Sequence, residues 1–219
     1  MLGLCVFSAI ASAQPSTTSI SPTADELAAS VQVFLDGVEA LECDFQQDYW
    51  ARVYERTTTA RGHLRLQRPG RIRFDYTQPR QQVVVSDGAT FTYYQSSDEG
   101  GQYYHSGADI VGEAFGFLIG TSPLADTFTS RRCTSASAPP DSACLELRPR
   151  QPDPRYSLIR LYVATTEHQR GQIVRVSIED LDGNWNSFSF ARVVLSQAFP
   201  PAVFTYAPPP GSHEITAPR

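Results

Sequence analysis

Histidines and cysteines are the first candidates for chemistry in this chain. His63, His105, His168 and His213 lie far apart, and none sits at the short spacing that lets two imidazoles share a metal ion. No G-x-S-x-G elbow, no phosphate-cradling glycine loop and no CxxC pair occurs. Aspartates and glutamates are scattered, so nothing selects a carboxylate pair for acid–base work. His63 falls opposite Leu64 on a strand and is expected in solvent. His105 reads as a loop residue. Cys133 and Cys144 flank TSASAPPDSA, a polar loop between two strand-like segments, and a bridge across it is favoured over two free thiols. Cys43 is left over, read as a small buried residue at a helix end. No enzyme is expected, and no cofactor or metal is implied.

One charged side chain is out of place. In RGHLRLQRPGRIRFDYTQP, residues 61–79, two strands fold back at Pro69-Gly70. Leu64 and Leu66 alternate on the first arm, Ile72, Phe74 and Tyr76 on the second. The same alternation puts Arg68 on the apolar face. A buried guanidinium must be bonded, because leaving it orphaned costs several kcal/mol, and it cannot give up its proton. Two answers fit. Arg68 lies at a rim and its head reaches water, or its donors hold backbone carbonyls of a mobile element across a cavity.

The elements that would position these residues follow from periodicity. Thr23 and Glu26 have the spacing of a capping box. Leu27, Val31, Phe34, Leu35, Val38 and Leu41 then recur at helical spacing. From Cys43 the period switches to two. Strands are expected in CDFQQDYW, ARVYERTTTARGHLRL, CLELRP, SLIRLYVAT, QIVRVSIED, NSFSFARVVL and a last AVFTYAPPPG, with a hairpin turning at Asp87-Gly88. Residues 106–120, SGADIVGEAFGFLIG, break the pattern. They read as an apolar helix capped by Ser106 or Asp109 and weakened by Gly112, Gly116 and Gly120. Such a helix is either a plug in a core or a movable lid.

Length and charge bound the classes. At 219 residues one domain is expected, and a net charge of −5 leaves no footprint for nucleic acid. Residues 1–13, MLGLCVFSAIASA, are an apolar run ending in Ala-Ser-Ala. They read as a signal peptide, cleaved so that Gln14 begins the mature chain. A lipoprotein signal at Cys5 is the rival reading. Residues 14–22 read as a disordered linker and residues 23–219 as the single domain.

The run QRPGRIRFDYTQPRQQVVVSDGATFTYY resembles the LolA family of periplasmic lipoprotein carriers. The shared features are Arg68-Pro69, the aromatic strand Arg73 to Pro79, and Val85-Ser86-Asp87-Gly88. DFQQ (residues 44–47) and FTYAPPPG (residues 204–211) are similar too. The resemblance implies a mainly β, α+β fold: an incomplete antiparallel barrel of about ten or eleven strands, with an N-terminal helix and short lid helices over an apolar cavity. It implies that Arg68 latches the lid, at about residues 108–128. Cavity-facing side chains would be Leu64, Leu66, Ile72, Phe74, Tyr76, Val83, Val85, Phe91 and Tyr93, with Ile110, Phe115, Phe117 and Leu118 from the lid. The implied partners are acylated lipoproteins, an inner-membrane lipoprotein-releasing ABC transporter complex and an outer-membrane acceptor, met by a periplasmic monomer that shields acyl chains in transit. A paralogue carrying another lipid, or an envelope-stress sensor or adaptor on the same fold, stays open. The inserted-looking TSASAPPDSA loop, the bridge and Cys43 lie outside the family pattern.

Overall fold

Polar–apolar alternation from Ala40 onward becomes a single large sheet, preceded among the described residues by one helix. The computed structural model describes residues 21–98, 100–107, 118 and 123–217. Thr23 caps helix α1 (Ala24–Asp36) as its sequence predicts. Its hydroxyl accepts from the Glu26 amide at 3.2 Å, and the Glu26 carboxylate accepts from the Thr23 amide at 2.8 Å. That amide bond and the Thr23 hydroxyl hold the Glu26 carboxyl below its ordinary range. The helix buries Leu27, Val31 and Leu35 and stops at Gly37. Val38 and Leu41 of the apolar stripe therefore fall beyond it, Leu41 in the first strand.

The strands are β1 (Ala40–Ala51), β2 (Arg56–Gln67), β3 (Arg71–Gln78), β4 (Gln82–Ser86), β5 (Thr90–Gln95), β6 (Gln102–Gly107), β7 (Phe128–Cys133), β8 (Ser142–Pro149), β9 (Leu158–Ala164), β10 (Ile173–Glu179), β11 (Trp185–Ser196) and β12 (His213–Glu214). A one-turn helix, α2 (Leu124–Thr127), leads into β7. Across the sheet the order is β12-β6-β5-β4-β3-β2-β1-β11-β10-β9-β8-β7, so β1 is central, held by β2 on one side and β11 on the other. All neighbours are antiparallel except β12, which runs parallel to β6. The fold is thus the mainly β, open antiparallel architecture the sequence predicts, an incomplete barrel with twelve strands among the described residues.

The sheet has two different faces. The inner one wraps a core fed from strands across its width: Phe45 of β1 stands edge-on to Phe74 (5.3 Å) and Tyr76 (4.9 Å) of β3, and Phe188 of β11 lies 6.2 Å away. The outer face is a carpet of polar cross-strand contacts, such as Arg175 to Ser189 (2.9 Å), Arg61 to Gln46 (3.0 Å) and Ser187 to Ser177 (2.8 Å). Over β3–β6 that carpet gives way to a second apolar cluster of Val83, Val85, Tyr94 and Phe204. The C-terminal segment crosses there. Arg73 donates to the carbonyls of Val203 (2.9 Å) and Thr205 (3.2 Å) and lies over the Tyr206 ring.

Several expectations need correcting. AVFTYAPPPG is not a strand: Pro201–Phe204 forms a 3-10 turn, started by a proline that suits a first helical position, and the final strand is His213–Glu214. Cys43 lies inside β1, not at a helix end. His105 belongs to β6, where its Nδ1 is 2.9 Å from the Thr92 hydroxyl. Ser106 lies within β6, with Gly107 after it, and the alternative cap Asp109 lies outside the described residues. His63 is more than half exposed but paired with Asp44. The bridge expected between Cys133 and Cys144 is present, their Cα atoms 5.1 Å apart, directly opposite each other on β7 and β8. The signal peptide, most of the linker and most of the 106–120 helix lie outside the described residues.

Candidate functional site

Helix α1 lies across the inner face, touching β7, β8 and α2. Three contacts seat it. At its middle, the Gln32 side chain accepts from the Leu124 amide of α2 at 3.1 Å. Beside it, the β9–β10 turn comes so close at Gly171 that a Cβ there would stand 2.1 Å from the Ser30 carbonyl oxygen; the residue's φ of +84° also calls for glycine. At the C-terminus, Arg68 reaches up from the end of β2. Its Nη1 donates to the Leu35 carbonyl, with the Asp36 carboxylate 3.8 Å away.

That third contact settles which groups Arg68 meets among the described residues. A helix end leaves carbonyls without partners and carries partial negative charge. Helix α1 has no basic residue in its last turn, so Arg68 supplies the cation from another element. Its side chain is only 17% exposed. The guanidinium faces the apolar side because a helix terminus waits there. The partner found is α1, whereas the resemblance pointed to residues 108–128.

Beneath α1's C-terminal half lies a small apolar cavity of about 40 Å³. Leu35 and Val38 roof it, Cys43, Leu64 and Leu66 floor it, and Leu118 closes one side. Among the described residues Gln172 is the one polar side chain in its wall. Burial pushes the Cys43 thiol up to about 12, with the neighbouring Glu42 charge a smaller contribution. Burial likewise raises the phenols of Tyr76 and Tyr93 on the same inner side. In each case the cause is burial among apolar side chains, which disfavours the charged form. Among the described residues no group of His, Cys, Asp and Glu could hold a metal ion.

The residues named from sequence divide three ways. Leu64, Leu66, Ile72, Phe74, Tyr76 and Phe91 share the inner core with Leu118, and half-buried Tyr93 packs against it. Val83 and Val85 do not join them: they face outward into the cluster under Phe204, and Val84 takes the inner position. Three valines in a row carry no alternation, so the phase of β4 cannot be read from it. Ile110, Phe115 and Phe117 lie outside the described residues. Apolar residues of the cavity wall that the sequence did not mark as such are Phe34, Leu35, Val38, Leu41, Ile173, Phe190 and Val193. The helical stripe already contained the first four.

A family model described as outer membrane lipoprotein carrier protein LolA matches residues 36–207. The chain belongs to the LolA family. The match takes in β1 to the Pro201–Phe204 turn, the cavity floor and Arg68. Among curated relatives, the outer-membrane lipoprotein carrier protein of Chromobacterium violaceum is 27% identical over 197 residues, 87% of this chain and 88% of that protein. Its namesake in Dechloromonas aromatica is 23% identical over 182 residues, 83% and 84% of the two chains. A crystal structure of a LolA superfamily protein from Nitrosomonas europaea covers 85% of this chain and 99% of its own, with 13% identity and a TM-score of 0.45.

Proposed function

We propose that this protein carries acylated lipoproteins through the periplasm from the inner to the outer membrane, with their acyl chains held between the inner face of the sheet and α1. An inner-membrane ABC transporter complex would load it and an outer-membrane acceptor would unload it. Residues 1–13 would export it. The family's description supports the cargo class. The observation that carries the mechanism is the apolar cavity under the end of α1 that Arg68 ties down.

Each acyl methylene kept from water is worth about 0.8 kcal/mol, so a multiply acylated protein does not cross an aqueous compartment unshielded. The cavity in the closed form is far too small for an acyl chain. Loading therefore requires α1 to withdraw from the inner wall. The charged hydrogen bond from Arg68 resists by about 1.5–3 kcal/mol. Two to four buried methylenes offset that, by roughly 0.8 kcal/mol each. The tie is thus strong enough to hold an empty carrier shut and weak enough for cargo to displace.

Mass spectrometry of material co-purifying from the periplasm tests the cargo. Lipoproteins are expected; free lipid alone would favour a paralogue of different cargo, and an empty protein would sink the carrier reading. Arg68→Leu tests the tie. The variant is expected to unfold about 1–3 kcal/mol more easily in denaturant and to retain bound lipoprotein when presented with an outer-membrane acceptor. Transfer at the normal rate would remove Arg68 from the mechanism.

A further inference from the structure

Three large apolar side chains stand out at one end of the sheet. Val53 is 83% and Tyr54 80% exposed on the turn joining β1 to β2, and Leu181 is 62% exposed on the turn joining β10 to β11. The two turns brace each other. The Arg52 amide donates to Asn184 Oδ1 at 2.9 Å, and its guanidinium donates to the Asp182 carbonyl at 3.2 Å. The Asp180 carboxylate accepts from the Asp182 and Asn184 amides. A Cβ at Gly183 would stand 3.0 Å from Arg52 Cδ. Single exposed apolar residues need no explanation, but three held outward on interlocked turns form a patch built to meet something.

What lies behind them indicates the partner. Both tryptophans of the chain, Trp50 and Trp185, face each other across β1 and β11 just beneath the turns, and Arg160 lies 4.5 Å over the Trp185 ring. Tryptophan and tyrosine, apolar in body and polar at one edge, concentrate where hydrocarbon meets water. Charge fits as well. The chain is −5 overall, yet this end is near balance. Arg52 and Arg56 stand with Glu55 and Asp182 at the turns. Behind them Arg131, Arg148 and Arg160 surround a buried Glu146, with Glu179 nearby. Asp180 is turned onto amides and Asp48 onto Thr59. A near-neutral end matches a zwitterionic surface.

We propose that this end is a docking tip for a zwitterionic phospholipid bilayer. Val53, Tyr54 and Leu181 enter the boundary between headgroups and acyl chains, and the tryptophans lie at headgroup level. The tip does not depend on what the cavity holds. Cys43 is nine residues from Arg52, about 30 Å along β1, so docking leaves the cavity clear.

The test uses the whole protein with phosphatidylcholine vesicles. It is expected to float with them, its tryptophan emission to shift to the blue and be quenched by brominated lipid, and added salt to change little. Replacing Val53, Tyr54 and Leu181 together by serine is expected to cut vesicle partitioning about tenfold or more without moving the thermal unfolding midpoint. Wild-type protein left in the soluble fraction, or a triple variant that binds as well, would overturn the proposal. So would a blue shift reproduced by short-chain lipid below its micelle concentration, which would trace the signal to cavity filling.

Discussion

A thiol sealed beside Leu64 does not ionise in ordinary buffer. With its pKa pushed to about 12 by burial, Cys43 stays protonated well past the 9 of an exposed thiol. Only the thiolate attacks alkylating reagents. Labelling at pH 8 is therefore expected to follow opening of the cover, slow in the native protein and faster in Arg68→Leu; equal rates would separate Arg68 from closure. The same shift sets a pH dependence. Below pH 9 the thiol is protonated in both folded and unfolded chains, and its contribution is intact. From pH 9 towards about 12 the unfolded chain ionises first, so stability falls, by at most about 1.4 kcal/mol per pH unit. A Cys43→Ala variant is expected to lose that part of the alkaline slope in denaturation curves. Alternation along β2 was enough to show from sequence that Arg68 faces inward. Its partner was not legible, because no local pattern says which distant helix end lacks a cation.

At the level of elements, α1 depends on a turn far away in sequence. Gly171→Ala would place a methyl group on the Ser30 carbonyl at a left-handed φ. It is expected to destabilise the protein by about 1–3 kcal/mol and to speed amide exchange along α1; unchanged exchange would mean the turn does not seat the helix. This contact left no trace in the sequence beyond a glycine in a turn. Local chemistry, by contrast, was readable. Thr23 and Glu26 announced the helix start. Asp87 announced its hairpin, and its carboxylate accepts from the amides of Ala89 (2.9 Å) and Thr90 (2.8 Å). The failures lie where a segment is apolar on both sides. In β4 the valines serve two clusters at once, and only the placement of Phe204 against Val83 and Val85 fixes which side is which. The AVFTY run looked like a strand for the same reason: its apolar residues pack, but onto the outside of the sheet.

For the molecule as a whole, the two faces have separate covers. Helix α1 closes the inside, while the C-terminal segment is fastened outside by Arg73 and Phe204. Among the described residues no helix is long and apolar enough to cross a membrane, so membrane contact by these residues would be made at the surface or by strands. Loading should therefore loosen one cover and leave the other. Hydrogen exchange of the cargo-bound form is expected to show faster amides in α1 and unchanged protection around residues 199–206. Equal loosening of both would mean that the sheet opens as a unit instead.

Arg68 grips a neutral carbonyl, with the exposed Asp36 carboxylate at 3.8 Å a lesser companion. Dissolved ions screen charge pairs in water far more than a sheltered bond to an uncharged acceptor. The fastening should consequently feel little of the ionic strength around it, and the carrier would stay shut as firmly in brine as in fresh water. Thiol labelling rates that climb steeply with added sodium chloride would contradict this.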